Sequence, residues 1–252
     1  MIPVERQKTL LDLIRQHGVI SINTLVETLN VSHMTVRRDI QKLESEGKVI
    51  SVSGGVQLLE RLVTEPTHND KSLLSTEEKI VIGKKASTLI PEHSTVYLDA
   101  GTTTLEIAKN IVNRTDLLIV TNDFAIANYL MVHSKSDIIH TGGKINKSNF
   151  SSTGELTAQF IRQLSIDIAF ISTSSWNLKG LTTPDEQKIS IKKAVLQASQ
   201  KNILVTDSTK YGKLATYYLY GLANLDMIIC DNALLDNAKE SIKNMDVELV
   251  LV

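Results

Sequence analysis

The sequence holds one cysteine in 252 residues, Cys230, which excludes an internal disulfide and any multi-cysteine zinc site. Cys230 ends an apolar, strand-like run, Met227 to Cys230, where a thiol serves as a small buried hydrophobe. The six histidines, His17, His33, His68, His93, His133 and His140, lack ligand spacing such as i, i+4, so no metal is expected. No apolar run approaches the about 20 residues of a membrane span, and no signal peptide opens the chain. The expected setting is therefore the cytoplasm, with no membrane partner. Net charge is low as well: the formal value of −1 rules out a chain that is basic throughout. There is no internal repeat and no low-complexity segment. What is present is 42% hydrophobic residues, enough for a core, in a length that allows one large or two smaller domains.

The first third is organised around Ser21 to Gly55. Ile2 to Gln16 reads as a helix with Leu10, Leu11 and Ile14 as core and Gly18 as its stop. Ile22 to Leu29 follows, with Leu25, Val26 and Leu29 inward. After the turn Asn30-Val31, Ser32 is placed to cap a further helix, in which Val36, Ile40 and Leu43 form one apolar stripe. Gly47 suits the left-handed position past its end. The other face carries His33, Met34, Thr35, Arg37, Arg38, Gln41 and Lys42. Two short helices around a tight turn form a helix-turn-helix, and Gly47 to Leu58, turning at Ser53-Gly54-Gly55, reads as a wing. A helix of this width fits the DNA major groove. A lone Arg-Arg pair would fit a merely solvated face; the preceding helix, the turn and the wing favour the DNA reading. Residues 1 to 58 hold seven lysines and arginines against six carboxylates, so DNA affinity must depend on where the charges lie and on more than one copy binding.

Glu60 to Ser75 loses periodicity and contains Pro66, which suggests a linker. The expected domains are 1–58, a linker at 59–75, and 76–252. From Thr76 onward, helical stretches (77–89, 103–112, 124–132, 156–164, 188–199, 234–243) alternate with strands (95–98, 117–120, 138–139, 168–172, 203–206, 227–230, 247–252). That pattern implies an α/β domain with a mostly parallel sheet covered on both faces.

Ligands bind such sheets at the carboxyl ends of the strands. There the chain reads Asp99-Ala100-Gly101-Thr102-Thr103-Thr104, Thr121-Asn122-Asp123, Thr141-Gly142-Gly143-Lys144, Ser172-Thr173-Ser174-Ser175 and Asp207-Ser208-Thr209-Lys210-Tyr211-Gly212. The first opens a helix, and its glycine, hydroxyls and free amides favour an anion such as phosphate. Taken alone it fits an ordinary capped turn equally well. Five polar strand ends together suggest a crevice. Lys84-Lys85 and Lys192-Lys193 read as solvated helix faces, with Lys192 within reach of that crevice, and Trp176 reads as packing.

Glu5-Arg6, Val31-Ser32, Thr35-Val36-Arg37-Arg38-Asp39 and Gly54-Gly55 resemble the DNA-binding domain of the DeoR family of bacterial transcription regulators. The resemblance continues through Asp99 to Thr103, Thr121-Asn122, Gly142-Gly143, Gly154, Gly180, Thr182, Glu186, Lys192-Lys193 and Asp207 through Lys210 to Gly212. It implies a winged helix-turn-helix followed by an α/β effector domain similar to ribose-phosphate isomerases, binding phosphorylated sugars or related metabolites. Gly101, Thr102, Thr103 and Thr104 would then hold phosphate, Asp99 and Asn122 would serve the crevice and sugar hydroxyls, and Lys210 beside Asp207 would supply charge. Relatives usually carry arginine and histidine just before the Gly-Gly pair, where this chain has Ser51 and Ser53.

The reading is a repressor of a carbohydrate or sugar-acid catabolic operon. Its partners would be double-stranded operator DNA, a small phosphorylated metabolite and a second or further copies of itself, as dimer or tetramer. Ser32, His33, Thr35, Arg37, Arg38 and Lys42 would face DNA. No cofactor, catalytic residue or metal is expected, since Phe170 to Trp176 offers no carboxylate base. Glu186 keeps the alternative, an isomerase-like enzyme with a DNA-binding module, open. A third reading, a winged helix used for protein assembly, conflicts with the arginine-rich outward face.

Overall fold

The computed structural model describes residues 2–52 and 54–252. Ser53 falls outside the described residues, so the expected wing turn is described only at Gly54 and Gly55.

The first helix, Pro3–His17, opens on a proline whose missing amide costs nothing in the first turn. The second, Ile22–Leu29, starts after Ser21, whose Oγ accepts the amide of Thr24 at 3.1 Å. Asn30 turns the chain with φ +50°. The third helix, His33–Ser45, is capped by Ser32, whose Oγ accepts the amide of Thr35 at 3.2 Å. Gly47 leaves the helix at φ +65°, a conformation that side chains resist. Leu10, Ile14, Leu25, Leu29, Val36, Ile40, Leu43, Val49 and Val56 form the core of this domain, with Leu11 and Val26 only partly covered. The strands Val49–Val52 and Gly55–Leu58 make a hairpin, and Val19–Ser21 joins it antiparallel as a third strand. The result is a winged helix-turn-helix.

The larger domain is built on a seven-stranded parallel sheet. Its order is Glu248–Leu251, Met227–Cys230, Ser199–Val205, Ile166–Ile171, Thr95–Leu98, Leu118–Thr121 and Asp137–His140. Alternate residues feed two separate cores. Val96, Leu98, Ile119 and Phe170 pack with Ile82, Ile107 and Ile126 from the helices Thr76–Ser87, Thr102–Asn110 and Phe124–His133. Tyr97, Val120, Ala169, Ile171 and Leu204 pack with Ile161, Val195 and Ile242 from Glu155–Ile161, Gln187–Ala198 and Asp236–Lys243. Helices on both faces bury the sheet, as a parallel ladder requires. All seven strands run parallel, but the order in which successive strands are added reverses between Thr95–Leu98 and Ile166–Ile171, and that switch point fixes the cleft described below.

Short strands escaped the periodicity of the sequence. Ser175–Asn177, Gly180–Thr183 and Tyr217–Tyr220 form a second, antiparallel sheet, and Lys144–Asn146 pairs with Ser151–Thr153. Within the aperiodic stretch 59–75, Glu60–Leu62 pairs in parallel with Lys213–Ala215, and His68–Ser72 forms a short helix. The latter is closed by a reciprocal cap: Thr67 Oγ1 accepts the Asp70 amide at 3.2 Å and Asp70 accepts the Thr67 amide at 3.1 Å.

The two domains interlock. Ile50 of the hairpin and Leu59 belong to the hydrophobic core of the larger domain. Glu44, near the end of the third helix, accepts Asn237 Nδ2 at 2.7 Å and the Ser51 amide at 2.9 Å. Burial raises the Glu44 pKa despite these donors. One end of the third helix is thus fixed to the effector half.

Candidate nucleic-acid interface and metabolite cleft

The inward face of the third helix carries a charge that the apolar stripe conceals. Asp39 is buried and accepts Arg6 Nε, Arg6 Nη2 at 3.3 Å and Gln7 Nε2 at 2.9 Å. Burial opposes ionisation of Asp39, but these hydrogen bonds outweigh it and hold the carboxyl below its usual range. Arg15 pairs with Asp12 and Lys48 with Glu46. Those contacts pair three of the six carboxylates of the domain, Asp39, Asp12 and Glu46. Arg37, Arg38 and Lys42 are exposed and, among the described residues, have no carboxylate partner. Ser32 and His33 are exposed at the start of the helix, with Thr35 half-buried. The near-neutral domain thereby presents a one-sided cationic face, which its composition did not show. Ser51 points into the protein and donates its hydroxyl to Glu44 at 3.2 Å, so this wing position adds no charge to that face.

A cleft lies over the carboxyl ends of the parallel strands. It encloses about 540 Å³, its open mouth included. Gly101, Thr102 and Thr103 line it on one side, Ser172, Thr173 and Ser174 on another, and Asp207 and Lys210 on a third. The first-turn amides of the helix Thr102–Asn110 have no intrahelical acceptor, and two residues of that turn, Thr102 and Thr103, line the cleft. A Cβ on Gly101 would lie 2.9 Å from Cβ of Ser172, so close packing of two strand ends requires glycine there.

The other expected residues sit behind the cleft and shape it. Thr104 donates to the carbonyls of Asp99 at 2.6 Å and Gly101 at 2.8 Å. Asn122 accepts the Tyr97 hydroxyl at 2.9 Å and the Ala100 amide at 3.1 Å. Asp99 accepts the Ser172 amide at 2.9 Å and pairs with Lys192. Asp123 receives the amides of Gly101 at 3.0 Å and Ile126 at 2.9 Å, and burial pushes its pKa up to about 6.

Five lysines reach the cleft: Lys71, Lys79, Lys188, Lys192 and Lys210. The sequence pattern points to Lys210 and puts Lys192 on a solvated face within reach of the crevice. Lys192 is instead buried against Asp99, because its helix turns Lys188, Ile191, Lys192 and Val195 inward; Lys193 is exposed. Lys71 and Lys188 share one carboxylate, Glu65. Lys210 stands 3.7 Å from Asp207. Lys79 is the exception: it is buried, with, among the described residues, only the backbone carbonyls of Lys71 and Leu74 as acceptors, and burial lowers its pKa. An ammonium without a carboxylate partner, beside the first turn of a helix and threonine hydroxyls, is an arrangement that favours an anion. Glu65, Asp99 and Asp207 each face a lysine, so none stands free as a general base. Glu186 is exposed outside the cleft. Trp176 is buried, edge-on to Tyr211 at 4.9 Å between centroids, and serves packing. Among the described residues no cluster of His, Cys, Asp or Glu has metal-binding arrangement, and no helix is long and apolar enough to cross a membrane.

Two family profiles match the chain. A family profile described as "DeoR-like helix-turn-helix domain" matches residues 6–61, and one described as "DeoR C terminal sensor domain" matches residues 74–232. An uncharacterized HTH-type transcriptional regulator of Haemophilus influenzae is 73% identical over 252 residues, covering 100% of this chain and 98% of that protein. The regulator YgbI of Escherichia coli is 46% identical, covering 100% and 98%. The glycerol-3-phosphate regulon repressor of Escherichia coli is 32% identical and covers 90% of each chain. Among solved structures, the sorbitol operon regulator SorC of Klebsiella pneumoniae aligns over 83% of this chain and 90% of its own, at 11% identity and a TM-score of 0.38. The chain belongs to the DeoR family of transcriptional regulators, with a DNA-binding helix-turn-helix and a sensor domain in one polypeptide.

Proposed function

We propose that this chain is a cytoplasmic repressor of a carbohydrate or sugar-acid catabolic operon, released or engaged by a phosphorylated sugar-type metabolite. The carrying observation is Lys79, a buried ammonium without a carboxylate, in one cleft with the amides and hydroxyls of Thr102 and Thr103. The phosphate would sit there, with Asp207 and Lys210 of the same cleft toward the sugar. Asp99, Thr104 and Asn122 would hold the strand ends that shape the seat. The similarity to a repressor named for glycerol-3-phosphate supports a phosphorylated effector.

On the DNA side, Arg37, Arg38 and Lys42 would neutralise phosphates or read base edges, with Ser32, His33 and Thr35 at the groove. Three unpartnered cations on the third helix of one module give weak binding alone, so a dimer or tetramer on a repeated operator is expected. The metabolite can act only by binding unequally to the DNA-competent and incompetent arrangements. Thermal-shift screening of phosphorylated sugars and sugar acids against their unphosphorylated forms tests the cleft, since a specific ligand raises stability by mass action. Stabilisation by phosphorylated compounds that disappears in Lys79→Met supports the reading. Equal stabilisation by both forms, or none by either, refutes it.

A further inference from the structure

The protein places a carboxylate of its own in the cleft. The Glu65 side chain is 9% exposed; its Oε1 accepts Lys71 at 2.9 Å, and its Oε2 accepts Lys188 and, at 3.2 Å, Asn149 Nδ2. Glu65, Lys71 and Lys188 line the same cleft as Thr102, Thr103, Lys79 and Lys210. The three carboxylates paired with cleft lysines, Glu65, Asp99 and Asp207, differ in how they are held. Asp99 accepts the Ser172 amide and Asp207 accepts the Thr209 amide, so both are fixed by backbone at strand ends. Glu65 is held by side chains alone. It also lies on the segment that joins the two domains, just past the strand Glu60–Leu62, which pairs with Lys213–Ala215 and follows the wing hairpin.

Charge decides what can replace it. Five lysines line the cleft; Glu65 and Asp207 line it with them and Asp99 and Asp123 lie behind it, so the lysines exceed these carboxylates by one, a charge that a phosphate alone neutralises. A ligand that adds a carboxylate overfills the cleft unless a protein carboxylate leaves. Exchanging Glu65 for a ligand carboxylate keeps Lys71 and Lys188 paired, so neither buried ammonium is stripped of its anion. A neutral hydroxyl end offers no such exchange.

We propose that Glu65 is a built-in stand-in for a ligand carboxylate: a metabolite with phosphate at one end and carboxylate at the other takes Lys188 and Lys71 from Glu65, freeing the interdomain segment and thereby changing operator affinity. The proposal rests on the phosphate reading above and adds the second anionic group and the route of the signal.

The test compares 4-phosphoerythronate with erythritol 4-phosphate, which has a hydroxymethyl group in place of the carboxylate, and with inorganic phosphate. Binding to the full-length protein is followed by calorimetry and DNA binding by gel shift on the region upstream of its own gene. In the wild type the acid binds more tightly than the polyol phosphate, and only the acid alters DNA affinity. Glu65→Gln removes the competitor, so the acid gains about tenfold while the polyol phosphate does not change. Without ligand, Glu65→Gln shows the DNA affinity of the acid-bound wild type. Lys188→Met, which keeps the phosphate seat, abolishes the preference for the acid, and it serves as the second variant if Glu65→Gln folds poorly. Equal binding of acid and polyol phosphate in the wild type overturns this proposal and leaves the phosphate seat standing. If inorganic phosphate and both esters all fail to bind, the phosphate reading falls, and this proposal falls with it.

Discussion

Acid titration reads the Glu65 clasp directly. In the unfolded chain this carboxyl takes its proton near pH 4.5; in the folded protein burial works against its charge, but Lys188 and Lys71 outweigh burial and hold it down to about 2. Between those limits the unfolded state binds more protons, so stability falls as the pH drops. The shift corresponds to about 3 kcal/mol, fully present above about pH 5 and lost by about pH 2. The assay is urea unfolding of wild type and Glu65→Gln at half-unit steps of pH. Glu65→Gln is less stable at neutral pH, because two lysines lose their anion. The informative quantity is the difference between the two proteins, which should shrink as the pH falls through this window. A difference that stays constant from pH 6 to pH 2.5 would mean that Glu65 is not held ionised by the lysines, and the clasp would be refuted.

Two further outcomes follow from the packing. Asp39→Ala strips the largely buried Arg6 of its anion and should cost about 3 kcal/mol in the N-terminal domain, measured by chemical denaturation, although Asp39 faces away from DNA. Gly212, at φ +80°, lies directly behind Lys210, and a Cβ there would stand 2.4 Å from Cδ1 of Ile50 in the wing. Gly212→Ala should cost about 2 kcal/mol, and adding Ile50→Val, which lacks that methyl, should recover part of the loss in thermal melts; no recovery would mean that this contact does not join the domains.

The parts that followed a period were legible. The stripe Val36, Ile40, Leu43 and the alternation of helix and strand from Thr76 gave both domains, because each depends on the burial of regularly spaced apolar groups. The strand-end motifs placed Gly101, Thr102, Thr103, Asp207 and Lys210 at one cleft. Three lysines were visible in principle: Lys79 stands on the stripe with Ile82 and Ala86, and Lys188 and Lys192 on one with Ile191 and Val195. A lysine on a buried stripe is a signal, since burial of an ammonium demands a reason. Glu65 and Lys71 gave none. They come from an aperiodic stretch, and only the fold brings them to Lys188, 123 residues from Glu65. Likewise the near-neutral count of the N-terminal domain could not show that Asp39 and Glu44 face inward and leave Arg37 and Arg38 unopposed.

The most direct test of the central claim is the salt dependence of operator binding. Fluorescence anisotropy on the chain's own upstream DNA should give weaker binding for Arg37→Ala and Arg38→Ala, with the slope of log affinity against log salt flatter by about one for each DNA phosphate that is no longer neutralised. An unchanged affinity and an unchanged slope in both variants would contradict the account.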